Sequence, residues 1–181
     1  MEPDGISLAG LRAQLSRRDA KLLYAVPNFQ NPTGLSYSLE KRRGVAALIE
    51  EYDGLLIEDD PYGEIRFTGA PLPPIRKFLS AGRGILLGTF SKTVSPGLRL
   101  GWIVASAEVI SHLTVAKQAT DLHSNYLAQR TLYEFLKDND LDAFIAQIAA
   151  AYKRQCGVMQ AAIARHFPPQ VRMTAPEGGM F

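Results

Sequence analysis

Lys92 lies in the segment GTFSKTVSPGLRLGW (88–102), between two apolar runs at 85–87 and 102–104. A lysine amine condenses with an aldehyde to give a Schiff base when desolvation or nearby cations keep part of it neutral. Thr89, Ser91 and Arg99 surround it in the sequence. Their hydroxyls and guanidinium are the donors a phosphate monoester needs. Earlier in the chain, Asp59 offers a carboxylate that can hold a pyridine nitrogen protonated. Tyr62 and Asn31 can donate hydrogen bonds to a phenolic oxygen. An aldehyde, a phosphate, a basic ring nitrogen and a phenol together describe pyridoxal phosphate, which withdraws electrons from a carbanion at a substrate α-carbon.

These groups must be positioned by the elements before them. Each follows a short apolar run of strand length: KLLYAV (21–26) before Asn31, LLIE (55–58) before Asp59 and Tyr62, and GILLG (84–88) before Thr89, Ser91 and Lys92. GWIVAS (101–106) reads as a further buried strand, and IRF (65–67) as a brief extended piece. Leu8, Leu11 and Leu15 recur at helical spacing. Ser38 can cap a second helix carrying Ala46, Leu48, Ile49 and Tyr52. Helical patterns fill most of 107–137, and Asp140 can cap a long amphipathic helix running from Leu141 to Ile163. Met180 and Phe181 read as the start of another strand. Strands alternating with helices predict an α/β fold with a mainly parallel sheet. In such sheets ligands bind beyond the carboxyl ends of the strands. Alone, NPTG is an ordinary turn, DDP a turn or helix start, and Ser-Lys a solvated pair. Their joint placement at consecutive strand ends favours a functional reading.

The bulk numbers exclude several other classes. The 181 residues suffice for one substantial core, and a formal charge of +2 argues for neither nucleic acid nor an acidic membrane surface. No apolar stretch is long enough to span a bilayer, and MEPDGISL lacks signal-peptide features, so the cytoplasm is expected. The single cysteine, Cys156, rules out an internal disulfide, and His112, His123 and His166 show no metal-ligand spacing.

The segments PNFQNPTG, EDDPYGEIRF and SKTVSPGLRLGW, in this order and spacing, resemble fold-type I pyridoxal-phosphate enzymes, specifically class I/II aminotransferases. The branch containing 2-aminoadipate and kynurenine (aromatic) aminotransferases is the nearest in pattern. The resemblance covers essentially the whole chain and implies the fold-type I large domain, its mainly parallel sheet flanked by helices and incomplete here. It implies that Lys92 carries the cofactor and moves the substrate proton. Asp59, three residues before Tyr62, would pair with the pyridinium nitrogen, while Asp60 points elsewhere. Tyr62 and Asn31 would bind the ring oxygen, and Thr89, Ser91 and Arg99 the phosphate. Many relatives have serine where Thr89 stands, which keeps the hydroxyl.

The resemblance also sets expectations for the rest. Residues 1–150 correspond to the central and C-terminal part of the large domain, and 151–181 to a connecting helix and the start of the small domain. A small-residue phosphate loop, a ring-stacking aromatic and an arginine for the substrate carboxylate have no counterpart in the sequence. The chain is therefore expected to be part of a longer, homodimeric enzyme acting on an amino acid and a 2-oxo acid, and to be inactive by itself. Three alternatives share the same motifs: the aminotransferase-like, cofactor-sensing domain of a GntR-type transcription regulator, a related lyase, and a nonfunctional fragment. Asn31 is usually altered in the regulators.

Overall fold

The computed structural model describes residues 1–181. Helix α1 (Leu8–Ser16) begins where the Ser7 hydroxyl accepts the Gly10 N–H at 3.3 Å, and it buries Leu11 and Leu15 one turn apart. Strand β1 (Leu22–Ala25) leads to the PNFQNPTG loop. Helix α2 (Leu39–Glu51) is capped as expected by Ser38, whose hydroxyl accepts the Lys41 N–H at 3.2 Å. It packs closely on α1, because a Cβ on Gly44 would sit 2.4 Å from a Leu8 methyl. A larger residue there would require the Leu8 side chain to shift.

Strands β2 (Leu55–Asp59) and β3 (Gly84–Thr89) follow, then β4 (Gly101–Val104). The sheet order is β1-β2-β3-β4, with the first three strands parallel and β4 antiparallel to β3. The short link from Thr89 to Gly101 explains the reversal, since a parallel return needs a crossover long enough to traverse a sheet face. Beyond β4 come α3 (Ala107–Thr120), α4 (Tyr126–Asp138) and α5 (Leu141–His166). The helical pattern over 107–137 is thus two helices. Asp140 caps α5 as expected, accepting the Ala143 N–H at 3.1 Å, and α5 runs unbroken through position 150.

One face of the sheet meets α1 and α2. Leu56 and Ala25 lie there with Leu15, Val45, Ala46, Ile49 and Ile75 in a continuous core. Each large side chain buried there contributes about 1.5–3 kcal/mol. The other face is open. Leu22 and Tyr24 are 50% and 56% exposed. Against the sequence expectation, β4 is not buried: Trp102, Ile103 and Val104 are 39–45% exposed. An apolar run tells which residues prefer burial, and at this sheet edge no element of the chain covers them.

The brief extended piece at 65–67 is present, but the strand start expected at Met180 and Phe181 is not. The two segments share only an isolated bridge between Arg66 and Gly178. The tail seats itself instead by hydrogen bonds from the Phe67 N–H to Glu177 O (2.7 Å) and from the Gly179 N–H to Ile65 O (2.7 Å). Arg66 pairs with Glu177 at 2.9 Å. A Cβ on Gly178 would lie 2.3 Å from the Phe29 ring, so no side chain fits at that position.

Two charged residues are completely buried in the core layer. Glu58 accepts the N–H groups of Ile75 (2.8 Å) and Arg76 (2.9 Å), which fixes the 3₁₀ turn Ile75–Phe78 against β2. Arg42 donates to Tyr37 O (3.0 Å), Pro73 O (3.2 Å), Pro27 O (3.1 Å) and Asn28 Oδ1 (2.5 Å). Burial lowers the Arg42 pKa, and Glu58 and Asp60 work against that. Arg42→Met keeps the volume but leaves four acceptors, three of them buried, without that donor, so the full-length protein should lose about 3–5 kcal/mol of unfolding free energy. Urea unfolding measures this, and a loss below about 1 kcal/mol would contradict the role given to Arg42.

Candidate active site

Asp59 and Thr89 end β2 and β3, Asn31, Tyr62, Ser91 and Lys92 follow the carboxyl ends of β1, β2 and β3, and Arg99 precedes β4. Asp59 is the last residue of β2 and pairs in register with Leu87 of β3. Thr89, two residues on, therefore projects from the same sheet face as Asp59. Ser91 and Lys92 follow in the turn that closes β3. The turn is tightened by the N–H groups of Val94 and Ser95, both donating to Phe90 O at 2.8 and 3.0 Å. Its base is closed by the Thr89 hydroxyl and the Phe90 N–H, both donating to Leu100 O. Thr89 Oγ1 also accepts the Ser91 N–H at 3.1 Å.

Lys92 is half-buried and has no acidic partner within the chain, unlike Lys41, which is paired with Glu2 and Asp4. Arg99 follows the 3₁₀ turn Pro96–Leu98 with a left-handed backbone (φ 54°). It is exposed, and its guanidinium makes only a local bond to Pro96 O at 3.5 Å. The turn leads into β4, which runs back along β3, but within this chain Arg99 makes no hydrogen bond to Thr89 or Ser91.

Asn31 and Tyr62 reach the same edge through loops that are tied together. Arg42 holds the Asn28 carbonyl oxygen, and the Asn28 amide donates to Asp60 Oδ2 at 2.9 Å. Asp60 Oδ1 accepts the Gly63 N–H at 2.9 Å. Both oxygens of Asp60 are thus committed to the loop. Burial pushes its carboxyl above the ordinary range, against the pull of these two donors and of Arg42. Tyr62 is buried with its ring edge-on to Phe181, 5.5 Å between centroids. Asn31 is exposed, and its peptide bond to Pro32 is cis. A cavity of about 360 Å³ lies elsewhere, between α5 and the tail, lined by Tyr152, Met159, Ile163, Met173 and Met180 among others. None of the predicted site residues lines it.

Three residues of this region were not picked out in the sequence: Asn28, Arg42 and Tyr24. Tyr24 reads as part of an apolar strand, yet its hydroxyl donates to Asp59 Oδ2. The signal is in the register. Tyr24 pairs with Ile57, two residues before Asp59, so phenol and carboxylate share a face of adjacent strands. The hydrogen bond to Asp59, followed by desolvation and the carboxylate's charge, raises the Tyr24 pKa to about 12. The folded state therefore binds this proton more tightly than the unfolded chain. Its contribution to stability is full below about pH 10 and is lost as pH rises through about 12. An ultraviolet tyrosinate titration should show a late-ionising tyrosine, absent in Tyr24→Phe. No change in the titration curve on that substitution would contradict the hydrogen bond.

The profile of the family "Aminotransferase class I and II" matches residues 4–181. The chain belongs to this family. It is 40% identical to aromatic-amino-acid aminotransferase 1 of Thermococcus litoralis, over 91% of this chain and 39% of that protein. Kynurenine aminotransferase of Pyrococcus horikoshii, solved with PMP and with kynurenine (KYN) and KYA, superposes with a TM-score of 0.93 at 36% identity, covering 99% of this chain and 46% of that one. LysN of Thermus thermophilus, an α-aminoadipate aminotransferase solved with N-(5'-phosphopyridoxyl)-L-leucine, gives a TM-score of 0.92 at 34% identity, over 98% and 46%. The regulator NorG of Staphylococcus aureus is 32% identical over 89% of this chain and 36% of its own length. The chain thus spans less than half the length of these relatives. Its four-stranded sheet and helices form part of the fold that the class I and II aminotransferases of known structure share.

Proposed function

We propose that this chain is the central part of a pyridoxal-phosphate-dependent aminotransferase. It would move an amino group between an amino acid, 2-aminoadipate or an aromatic one, and a 2-oxo acid. The observation that carries the reading is the strand-end set itself: an amine without an acidic partner (Lys92) beyond β3 and a carboxylate (Asp59) ending the neighbouring β2. The donors fit a phosphorylated pyridine aldehyde. Asp59 keeps Oδ1 clear of any hydrogen bond within the chain, and Asn31 presents an amide that is likewise not engaged.

When bound, pyridoxal phosphate supplies an electron-withdrawing ring that stabilises negative charge at the substrate α-carbon. Lys92 Nζ would be the amine that holds the cofactor's aldehyde group, and it would carry the substrate's α-proton. Asp59 Oδ1 would keep a proton on the ring nitrogen. Tyr62 and Asn31 would donate to the ring oxygen, and Ser91, Arg99 and Thr89, once its hydroxyl turns from Leu100 O, would hold the phosphate. Residues 1–150 belong on this reading to the large domain and 151–181 to the connection into the small domain. The full-length protein would be a cytoplasmic homodimer. No helix is long and apolar enough to cross a membrane.

Single-turnover spectroscopy of the full-length protein with cofactor tests the proposal. Adding 2-aminoadipate or an aromatic amino acid should convert the cofactor to its amine form, and 2-oxoglutarate should reverse it. The NorG relative supports a second reading, a cofactor-sensing regulator domain. Cofactor binding without conversion by any amino donor, together with duplex DNA binding, would favour that reading. Release of substrate carbon dioxide or ammonia without amine transfer would favour a lyase.

A further inference from the structure

The open sheet face carries an aromatic that core packing does not explain. Tyr24 is 56% exposed and outside the hydrophobic core, and its hydroxyl has one partner in the chain, Asp59 Oδ2. The groups that bear on it electrostatically are Asp59 on β2 and Tyr62 in the following loop. A terminal carboxylate torsion is broad and roughly two-fold, so a carboxylate at a strand end does not by itself present a fixed lone pair. A diagonal cross-strand neighbour is within reach of a tyrosine.

We infer that Tyr24 is a positioning residue for Asp59: its hydroxyl holds Oδ2 and leaves Oδ1 aimed at the ring nitrogen of the cofactor. The inference rests on the proposed function, which makes Asp59 the ring's partner. Tyr24 touches neither substrate nor the reacting atoms in this arrangement. It acts by fixing which oxygen meets the ring and by supplying a donor that stays protonated across the working pH range. Locking an ionic contact through a second hydrogen bond is the logic by which outer partners orient the groups that bind a cofactor or metal.

The test uses the full-length protein as wild type, Tyr24→Phe, Asp59→Asn and the double variant. Pyridoxal phosphate affinity of the apoprotein is measured by equilibrium dialysis, and the bound cofactor's absorbance is titrated with pH. Tyr24→Phe keeps the ring and removes only the hydroxyl, so a packing role would leave both readouts unmoved. The inference expects Kd to rise roughly tenfold, as for a lost hydrogen bond to a charged group, and the spectral midpoint to move. It also expects the double variant to be no worse than Asp59→Asn alone, because the hydroxyl acts through the carboxylate. Unchanged Kd and midpoint in Tyr24→Phe, with both altered in Asp59→Asn, would overturn the inference and leave the proposed function standing. If Asp59→Asn alters neither, the assignment of Asp59 fails and the inference falls with it.

Discussion

Lys92→Ala in the full-length protein is expected to reduce transamination by roughly 10⁴-fold or more, the scale associated with losing a covalent and proton-carrying group. Borohydride reduction of the wild-type protein with cofactor should leave a pyridoxyl group on Lys92, found by peptide mass mapping. The structure sharpens the choice among lysines. Lys41 is tied to Glu2, a contact that raises its pKa and keeps its amine protonated. Lys92 follows the end of β3 and carries no such partner. Recovery of the adduct on Lys21, Lys41 or Lys77, with Lys92 unmodified, would overturn the assignment.

Asp59 and Asp60 should separate by the kind of damage their loss causes. Asp59→Asn removes the charge facing the ring, and the half-reaction should slow by about 10²-fold or more, on the scale of losing a preorganised electrostatic contact. Its stability should change little, since the asparagine amide oxygen can still accept its one internal bond, from the Tyr24 hydroxyl. Asp60→Asn turns one acceptor into a donor that faces either the Asn28 amide or the Gly63 N–H. That mismatch is half-buried and should cost about 1–3 kcal/mol of stability, with a much smaller effect on rate. Half-reaction rates and urea unfolding of both variants measure the two effects. Comparable rate losses with no difference in stability would show that the carboxylates have been assigned wrongly.

The strand ends were legible in the sequence because their signals are local. Apolar runs of strand length, each followed by a turn, place Asn31, Asp59 and Lys92 without knowledge of the fold. The helix caps at Ser38 and Asp140 were legible for the same reason, as each side chain binds a backbone N–H three residues ahead. What failed depended on partners distant in sequence. Tyr24 looks like any strand aromatic until β1 is set in register against β2. The exposure of Trp102, Ile103 and Val104 depends on what covers the sheet, which an apolar pattern cannot say. Met180 and Phe181 carry strand-like side chains, yet Gly178 and Gly179 before them are shaped by the Phe29 ring.

The seat of the tail has a consequence in chain entropy. Arg66 and Glu177 are 111 residues apart, so each contact the tail makes closes a loop containing most of the chain. The cost of such closure grows only with the logarithm of length, about 0.6 kcal/mol for each doubling. Lengthening or trimming the connections among α3, α4 and α5 would therefore barely alter how firmly the tail is held. A single methyl group at Gly178, set against Phe29 and Ile65 O at 2.3 and 2.4 Å, would alter it directly. The tail's hold on the loops carrying Asn31 and Tyr62 is thus decided by a few ångströms of contact, and hardly at all by the long path the chain takes to return.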